Sequence, residues 1–198
     1  MNETNEALRN ALASYVASDD HEARALARIS GHVAGGGDLF ARDRWDGHLT
    51  GSAFVLDAAG ERLLLLFHRK LEKWLQPGGH GEPGERDPLD VARREAEEES
   101  GIHGLELHPS APVPFDLDVH EIPARKGDPA HEHLDVRYLF VAPPGAEPRV
   151  DASESLGFRW VPLEDAAKDG GDESVVRAAR KVLALRSSRP ENAANDAT

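Results

Sequence analysis

The chain has 198 residues, a net charge of −13 at pH 7 and 39% hydrophobic residues, which predicts one globular domain with extensions. It has no cysteine, which excludes disulfides, thiolate metal sites and cysteine nucleophiles, and agrees with the cytoplasmic location that we predict. The negative charge disfavours duplex nucleic acid and anionic membranes as partners, and no apolar run approaches the roughly 18 residues that a membrane span needs.

Residues 1–36 predict a helical N-terminal extension. Apolar residues recur at helical spacing in two segments of the range 3–33. Asp19, followed three residues later by Glu22, resembles a capping box at the start of the second helix. We expect the two helices to pack either on the domain that follows or on a second subunit, so a homodimer stays open.

A strand hairpin is predicted next, near the start of a domain that we place at residues 37–187. Residues 52–57 and 62–68 flank the sequence Ala-Ala-Gly-Glu, which is typical of a hairpin connection. The run from Leu63 to Phe67 is apolar without interruption, which predicts a strand buried on both faces. A glycine-rich loop then follows at residues 77–84.

The loop leads into a short acidic helix, which is the most informative part of the sequence. Asp87 suits the N-cap, Pro88 the first helical position, and Gly101 the C-terminal end. Three glutamates share one face of this helix, namely Glu95, Glu98 and Glu99. Like charges at this spacing repel each other, and acids in the last turn oppose the helix dipole. A divalent cation reverses both effects, and Mg²⁺ or Mn²⁺ prefers such oxygen ligands, whereas a solvated acidic face is the alternative.

The loop and helix together resemble the Nudix box, G-x5-E-x7-R-E-U-x-E-E-x-G-U, in which U is a bulky aliphatic residue. Gly79 and Glu85 match its first half, and the segment from Arg94 to Ile102 matches its second half. Eight residues separate Glu85 from Arg94, one more than in the box, and Ala96 is smaller than the usual aliphatic residue. The extra residue lies before or at the start of the helix. Glu85 is expected to fix the junction of loop and helix.

The resemblance implies an α/β fold of the Nudix type, an α/β/α sandwich with a mixed sheet. It implies a hydrolase that uses Mg²⁺ or Mn²⁺ to split a diphosphate bond in a small molecule of the nucleoside diphosphate-X type. The alternative is a Nudix-fold module that binds a nucleotide, or regulates, without hydrolysis; the complete acidic cluster argues against it. Isomerisation of an isoprenoid diphosphate is disfavoured, because the isomerases that this chain resembles use a cysteine.

The resemblance also assigns roles within the box. Glu98 and Glu99 are the expected metal ligands, and Glu95 is either a further ligand or the base that takes a proton from water. A backbone carbonyl of the loop contributes to metal binding in this family, and here that role falls on Gly78. Arg94 is expected to orient the carboxylates. We therefore predict that Glu95, Glu98 and Arg94 form the catalytic group.

The rest of the chain predicts further strands and a last helix. The strands are expected at residues 113–122, 134–141 and 158–162. Asp172 or Ser174 suits the N-cap of the helix, and residues 188–198 form a polar tail that we predict to be disordered. Glu154, in an acidic loop before the last strand, is a candidate for an additional metal ligand, with Asp151 and Glu132 in reserve. A solvated loop glutamate is the alternative.

Four polar residues alternate along the strand near residue 134 and therefore share a face: His131, His133, Asp135 and Arg137. A His-x-His-x-Asp pattern can bind a metal, but we favour the wall of a substrate pocket, because the metals of the resembling family sit on carboxylates. His80 in the glycine loop is assigned to the same pocket. Arg125, next to Lys126 in a nearby loop, is a candidate for phosphate contact, with a solvated loop as the alternative.

Overall fold

The computed structural model describes residues 3–125, 127–150 and 155–188. Its elements in chain order are α1 (Glu3–Ala13), α2 (Asp20–Gly35), β1 (His48–Leu56), β2 (Arg62–His68), β3 (Lys73–Leu75), β4 (Gly78–His80), α3 (Pro88–Ser100), β5 (Glu106–Leu107), β6 (Asp116–Ile122), β7 (His131–Val141), β8 (Ser155–Pro162), α4 (Leu163–Asp169) and α5 (Glu173–Ser187). No helix in these ranges has the length and apolar character needed to cross a membrane. The tail predicted at residues 188–198 lies outside them apart from Ser188.

Eight strands form one mixed sheet around β1. β1 pairs in parallel with β7 and antiparallel with β2 and β4. β5 and β6 also pair with β7, while β3 and β8 pair with β2. Helices α1, α2 and α3 pack on one face of the sheet, and α4 and α5 pack on the other. This arrangement confirms the predicted α/β/α sandwich with a mixed sheet and an N-terminal helical extension.

The residues of β1 alternate between the two cores of the sandwich. Leu49, Ala53 and Val55 pack towards α1, α2 and α3, whereas Phe54 and Leu56 pack towards α4 and α5. On this second face the first half of β1 is polar, with His48, Thr50 and Ser52 in place of apolar residues. These three side chains are nonetheless buried, so this end of the sheet needs internal polar partners.

Glu22 of α2 ties the N-terminal helices to the rest of the domain. Its buried carboxylate accepts hydrogen bonds from the Tyr15 hydroxyl, from the backbone N–H of Ser18 at 2.5 Å and from Lys181 Nζ of α5 at 2.6 Å. Burial alone raises the pKa of Glu22, but these hydrogen bonds lower it to about 2. Asp19 caps α2 as predicted and accepts from the Glu22 N–H at 2.8 Å. The side chain of Glu22, however, points into the domain, which a capping box does not predict.

Several boundaries differ from the sequence prediction for one physical reason. β1 begins at His48 rather than residue 52, and β7 begins at His131 rather than residue 134. Gly78–His80, predicted as part of a loop, pairs with β1 as the short strand β4. Pairing with a neighbouring strand extends or creates each of these strands, and local propensity does not report such pairing.

Candidate active site

The acidic helix α3 is held in place by caps and by close contact with the sheet. The Asp87 side chain accepts a hydrogen bond from the Leu89 N–H at 2.9 Å, and Gly101 ends the helix with a left-handed φ of 67°. Gly51 of β1 permits the close packing, since a Cβ there would lie 2.7 Å from the backbone nitrogen of Ala92. The helix therefore begins and ends where the sequence predicts, and it lies directly on the central strand.

Arg94 joins this helix to the glycine-rich loop through Glu85. Its Nε and Nη2 donate to the two carboxylate oxygens of Glu85 at 2.9 and 3.0 Å, the paired geometry that arginine favours. Glu85 also accepts from the backbone N–H of Glu82 at 2.7 Å. The hydrogen bonds from Arg94 hold the pKa of Glu85 below its usual range. The extra residue of the box is thus absorbed in the loop, and Glu85 lies at the junction where it was expected.

The same guanidinium group contacts two of the three glutamates that share a face. Arg94 Nη1 lies 2.9 Å from Glu98 Oε2 and 3.1 Å from Glu95 Oε1. Arg94 Nη2 also donates to the backbone oxygen of His80 in β4 at 2.8 Å. The hydrogen bonds with Glu85, and after them the carboxylates of Glu95 and Glu98, raise the pKa of Arg94, so its positive charge is permanent. One arginine therefore positions the acidic face of α3 and the strand beside it.

The glutamates differ in exposure. The Glu98 side chain is 59% exposed and that of Glu95 only 15%, while Glu99 is half-buried. Gly79 of β4 faces Glu95 directly, because a Cβ on Gly79 would lie 2.6 Å from the Glu95 carboxyl carbon. Gly78, the residue before it, faces Ser52 of β1 instead. The glycine strand thus leaves a space into which the carboxylate of Glu95 fits.

A group of histidines lies on the face of the sheet opposite α3. His48 of β1 is in register with His133 of β7, and Thr50 is in register with His80 of β4. The ring centroids of His48, His80 and His133 are 4.6–5.2 Å apart, and the Nε2 atoms of His80 and His133 are 3.1 Å apart. Among the described residues, these three are the histidines, cysteines or acids whose ligand atoms gather within 4.8 Å of one another.

Burial keeps these histidines neutral. It lowers the pKa of His48 and of His80 to about 4, with further contributions from His131 for the first and from Arg42 for the second. It lowers the pKa of His133 to about 2, and the neighbouring His80 adds to this effect. At pH 7 all three rings are uncharged, and each carries a nitrogen lone pair.

Asp135 and Arg137 share the face of His133, as the alternation predicts, but they are buried. Asp135 accepts hydrogen bonds from Thr50 Oγ1 at 2.9 Å, Ser52 Oγ at 2.8 Å and Arg137 Nε at 2.6 Å. The other partners of Arg137 are two buried carboxylates of β6, those of Asp116 and Asp118. This position differs from the pocket wall assigned from the sequence. Their charges are paired internally, and they support the strands that carry the histidines.

His131 and Arg125 lie further along this end of the sheet. His131 lines a surface cleft of about 400 Å³ together with Trp45, whose ring lies 5.6 Å from the histidine ring. The ring of His131 also stacks at 5.1 Å on that of His48. Arg125 is exposed in the loop after β6, where its backbone pairs with that of Asp128.

Of the three acids proposed from outside the box, only Glu132 lies within the described residues. Glu154 and Asp151 lie outside the described residues. Glu132 forms an ion pair with Arg28 of α2, at 2.6 Å between Oε2 and Nε. His48 was not predicted as a site residue, although its alternation with Thr50 and Ser52 is a visible signal of a strand with one polar face.

Comparison with known proteins supports the fold and the box. The family model for the NUDIX domain matches residues 48–185. A search among curated protein sequences finds no match. Among solved structures, the chain is similar to a C. elegans Ap4A hydrolase in a binary complex, with a TM-score of 0.56 and 23% identity over 71% of this chain and 98% of that one. A NUDIX family hydrolase from Clostridium perfringens matches with a TM-score of 0.52 and 26% identity, over 70% and 97% of the two chains. The E. coli dihydroneopterin triphosphate pyrophosphohydrolase gives a TM-score of 0.52 and 19% identity, over 69% and 95%.

Proposed function

Because the chain belongs to the Nudix hydrolase family, we propose that it splits a diphosphate bond in a small molecule of the nucleoside diphosphate-X type with Mg²⁺ or Mn²⁺. Family membership makes it a hydrolase of diphosphate bonds in general; the substrate class and the cation are the proposal. The observation that carries it is the acidic face of α3, which Arg94 fixes against the glycine strand β4.

The residues at this face suit a hard divalent cation. The carboxylates of Glu95, Glu98 and Glu99 are oxygen donors, which Mg²⁺ and Mn²⁺ prefer, and we propose the backbone carbonyl of Gly78 as a further oxygen donor. The space that Gly79 leaves beside Glu95 admits a carboxylate at the edge of the strand. When bound, the cation neutralises phosphate charge and lowers the pKa of water.

Three side chains have further roles in the proposed reaction. Arg94 keeps the carboxylates of Glu95 and Glu98 in fixed directions, which spares reorganisation during the reaction. Glu95, shielded in its glycine recess, is either a ligand or the base that takes the proton from the attacking water. Glu85 holds the arginine from the other side through both of its oxygens.

We place the group that is linked to the diphosphate in the cleft beside Trp45 and His131. An aromatic ring at the edge of a 400 Å³ cleft can stack on a base or another flat group. The likeness to an Ap4A hydrolase is at the level of the fold and does not choose the group. Arg125 is the candidate for phosphate contact, and Glu154 is the candidate for a further metal ligand. The cytoplasmic location stays a prediction.

The test is a panel of diphosphate compounds assayed with Mg²⁺ or Mn²⁺, with products identified by mass spectrometry after reaction in ¹⁸O-labelled water. Glu98→Gln and Glu99→Gln should each reduce kcat by roughly 100-fold or more, as expected for the loss of a group that acts on the transition state. Glu97→Gln is the matched control. Its side chain accepts a hydrogen bond from the Gly104 N–H away from the shared face, and glutamine keeps an acceptor there.

Three outcomes would contradict the proposal. Absence of cation-dependent turnover with every compound would refute hydrolysis, and binding without turnover in calorimetry would identify a binding module instead. Full activity in both Glu98→Gln and Glu99→Gln would show that the acidic face of α3 does not hold the cation.

A further inference from the structure

We propose that His48, His80 and His133 form a binding site for a first-row transition metal ion of the Zn²⁺ type, separate from the carboxylates of α3. The site lies on the face of the sheet opposite α3 and consists of nitrogen donors, which such ions prefer. It goes beyond the hydrolysis proposed above and does not rest on it.

The backbone of the sheet fixes the three donors. β4 and β7 flank β1, so each histidine stands on a different one of three adjacent strands. His48 and His133 are in direct register, while His80 is opposite Thr50, one position further along the same face. A site built on paired strands is positioned more rigidly than one built on loops.

His48 gives the observation that points to a ligand. Its side chain is 1% exposed, and neither ring nitrogen has a hydrogen-bond partner within the described residues. The backbone of Arg44 forms a weak hydrogen bond with the ring, which raises the pKa of His48, but its geometry falls outside that of an ordinary hydrogen bond. A buried polar group without a partner destabilises a fold by about 1–3 kcal/mol. A bound cation would satisfy His48, and it would do so from the side on which the other two rings lie.

The separations agree with a shared ion. Two imidazole nitrogens on one tetrahedral Zn²⁺, each at 2.0–2.1 Å, are about 3.3 Å apart. His80 Nε2 and His133 Nε2 are 3.1 Å apart, and all three rings offer ligand atoms within 4.8 Å of one another. The ligand atom of His48 lies within 4.8 Å of the other two, so this ring must approach them to complete the set. Three histidines leave one tetrahedral position for water, as in open zinc sites.

The surroundings favour a cation at this place. Each histidine offers an ion the lone pair of a neutral imidazole, and the proton shared in the hydrogen bond between His80 Nε2 and His133 Nε2 moves to the other nitrogen of its ring when the ion binds. The buried carboxylate of Asp135 lies close enough to act on His80. Arg42 acts in the opposite direction, but it is exposed, and solvent and salt screen its charge.

The competing interpretation makes the histidines a wall of the substrate cleft. It accounts for His80 and His133, which are half-buried and contact each other. It does not account for His48, which is buried and has neither ring nitrogen in a hydrogen bond of ordinary geometry within the described residues. A metal ion explains the three together.

The experiment is titration of the full-length protein, first treated with a chelator, with Zn²⁺ and Co²⁺ in the presence of excess Mg²⁺. We expect one ion per chain, visible absorption bands of tetrahedral Co²⁺, and a Zn²⁺-dependent rise in Tm. His48→Leu and His133→Gln should each weaken binding by roughly 100-fold or more. His48→Leu removes the unpaired nitrogens, so its Tm without metal should equal or exceed that of the wild type. His133→Gln, at a half-buried position, provides a second test of binding if His48→Leu does not fold.

Two control variants separate this site from the proposed active site. Glu98→Gln should lose hydrolysis but keep Co²⁺ binding, and His103→Ala, an exposed histidine elsewhere, should keep both. The proposal is overturned if the wild type binds no Co²⁺, if binding survives both cluster variants, or if Glu98→Gln abolishes it. A raised KM in the cluster variants, with no Co²⁺ bound by the wild type, would identify a substrate wall and also overturn it.

Discussion

Gly79→Ala tests whether the glycine strand shapes the acidic site. The added Cβ would lie 2.6 Å from the Glu95 carboxyl carbon, whereas ordinary contact begins at 3.4 Å, so the carboxylate must shift by about 0.8 Å. The atoms that must move are the end of a flexible side chain, so the fold should survive. A misplacement near 1 Å can reduce a rate about 100-fold, which corresponds to about 2.7 kcal/mol of transition-state stabilisation.

The assay compares kcat, KM and the Mg²⁺ dependence of hydrolysis with Tm for the same protein. Gly157→Ala is the matched control, because it also adds one methyl group to a strand glycine but meets no atom within 4 Å. We expect Gly79→Ala to lose kcat at nearly unchanged Tm, and Gly157→Ala to change neither. Full activity in Gly79→Ala would refute the idea that Glu95 must occupy the glycine recess. A large fall in Tm would show instead that Gly79 is needed for the backbone conformation and stability of the fold.

Three further predictions concern charge and helix stability. Arg94→Lys keeps the charge but loses the planar fork, and kcat should fall roughly 100-fold in steady-state kinetics. Because the folded pKa of Glu22 is about 2, below the reference value of 4.5, its stabilisation is present above pH 4.5 and is lost as pH falls towards 2. Glu22→Gln should therefore lower the free energy of unfolding at pH 7 by about 3 kcal/mol and weaken its dependence on acid in urea titrations. Gly31→Ala, at an exposed position in α2 with no atom within 4 Å of the new Cβ, should stabilise the protein by about 0.5–1 kcal/mol.

The local features of α3 were predictable because each depends on neighbours in the chain. The cap at Asp87, the end at Gly101 and the shared face of the glutamates follow from helix geometry alone. The α/β/α sandwich was then predicted from the resemblance to the Nudix family. Arg94 contacts Glu98 one turn away, a spacing that the sequence displays directly.

His80 and His133 were assigned to one pocket from the sequence, but His48 was missed and the contacts among the three were not predicted, because they depend on the pairing of distant strands. His48, His80 and His133 meet only because β4 and β7 both pair with β1. Gly-Gly-His has little intrinsic tendency to form a strand, so the sequence favoured a loop there.

The burial of charged side chains was likewise not predictable from the sequence. The alternation placed Asp135 and Arg137 on one face but gave no sign that this face was internal. Their burial follows from carboxylates of β6 and from Arg177 of α5, which binds Asp116 at 2.9 Å. Similarly, the sequence indicates only a capping residue at Glu22. Its ion-pair partner in the fold is Lys181, which lies near the other end of the chain. In each case the partner that makes burial favourable lies far away in the sequence.

β4 links the two sites, because its three residues serve both faces of the sheet. Gly79 faces Glu95, whereas the side chain of the next residue, His80, lies beside His133 on the other face. The carbonyl of His80 meanwhile accepts a hydrogen bond from Arg94, the arginine that orients the glutamates. A shift of this strand cannot alter one site alone. If an ion on the histidines biases the position of β4, it must change the affinity of the acidic face for its own cation, and thermodynamic linkage makes that effect reciprocal.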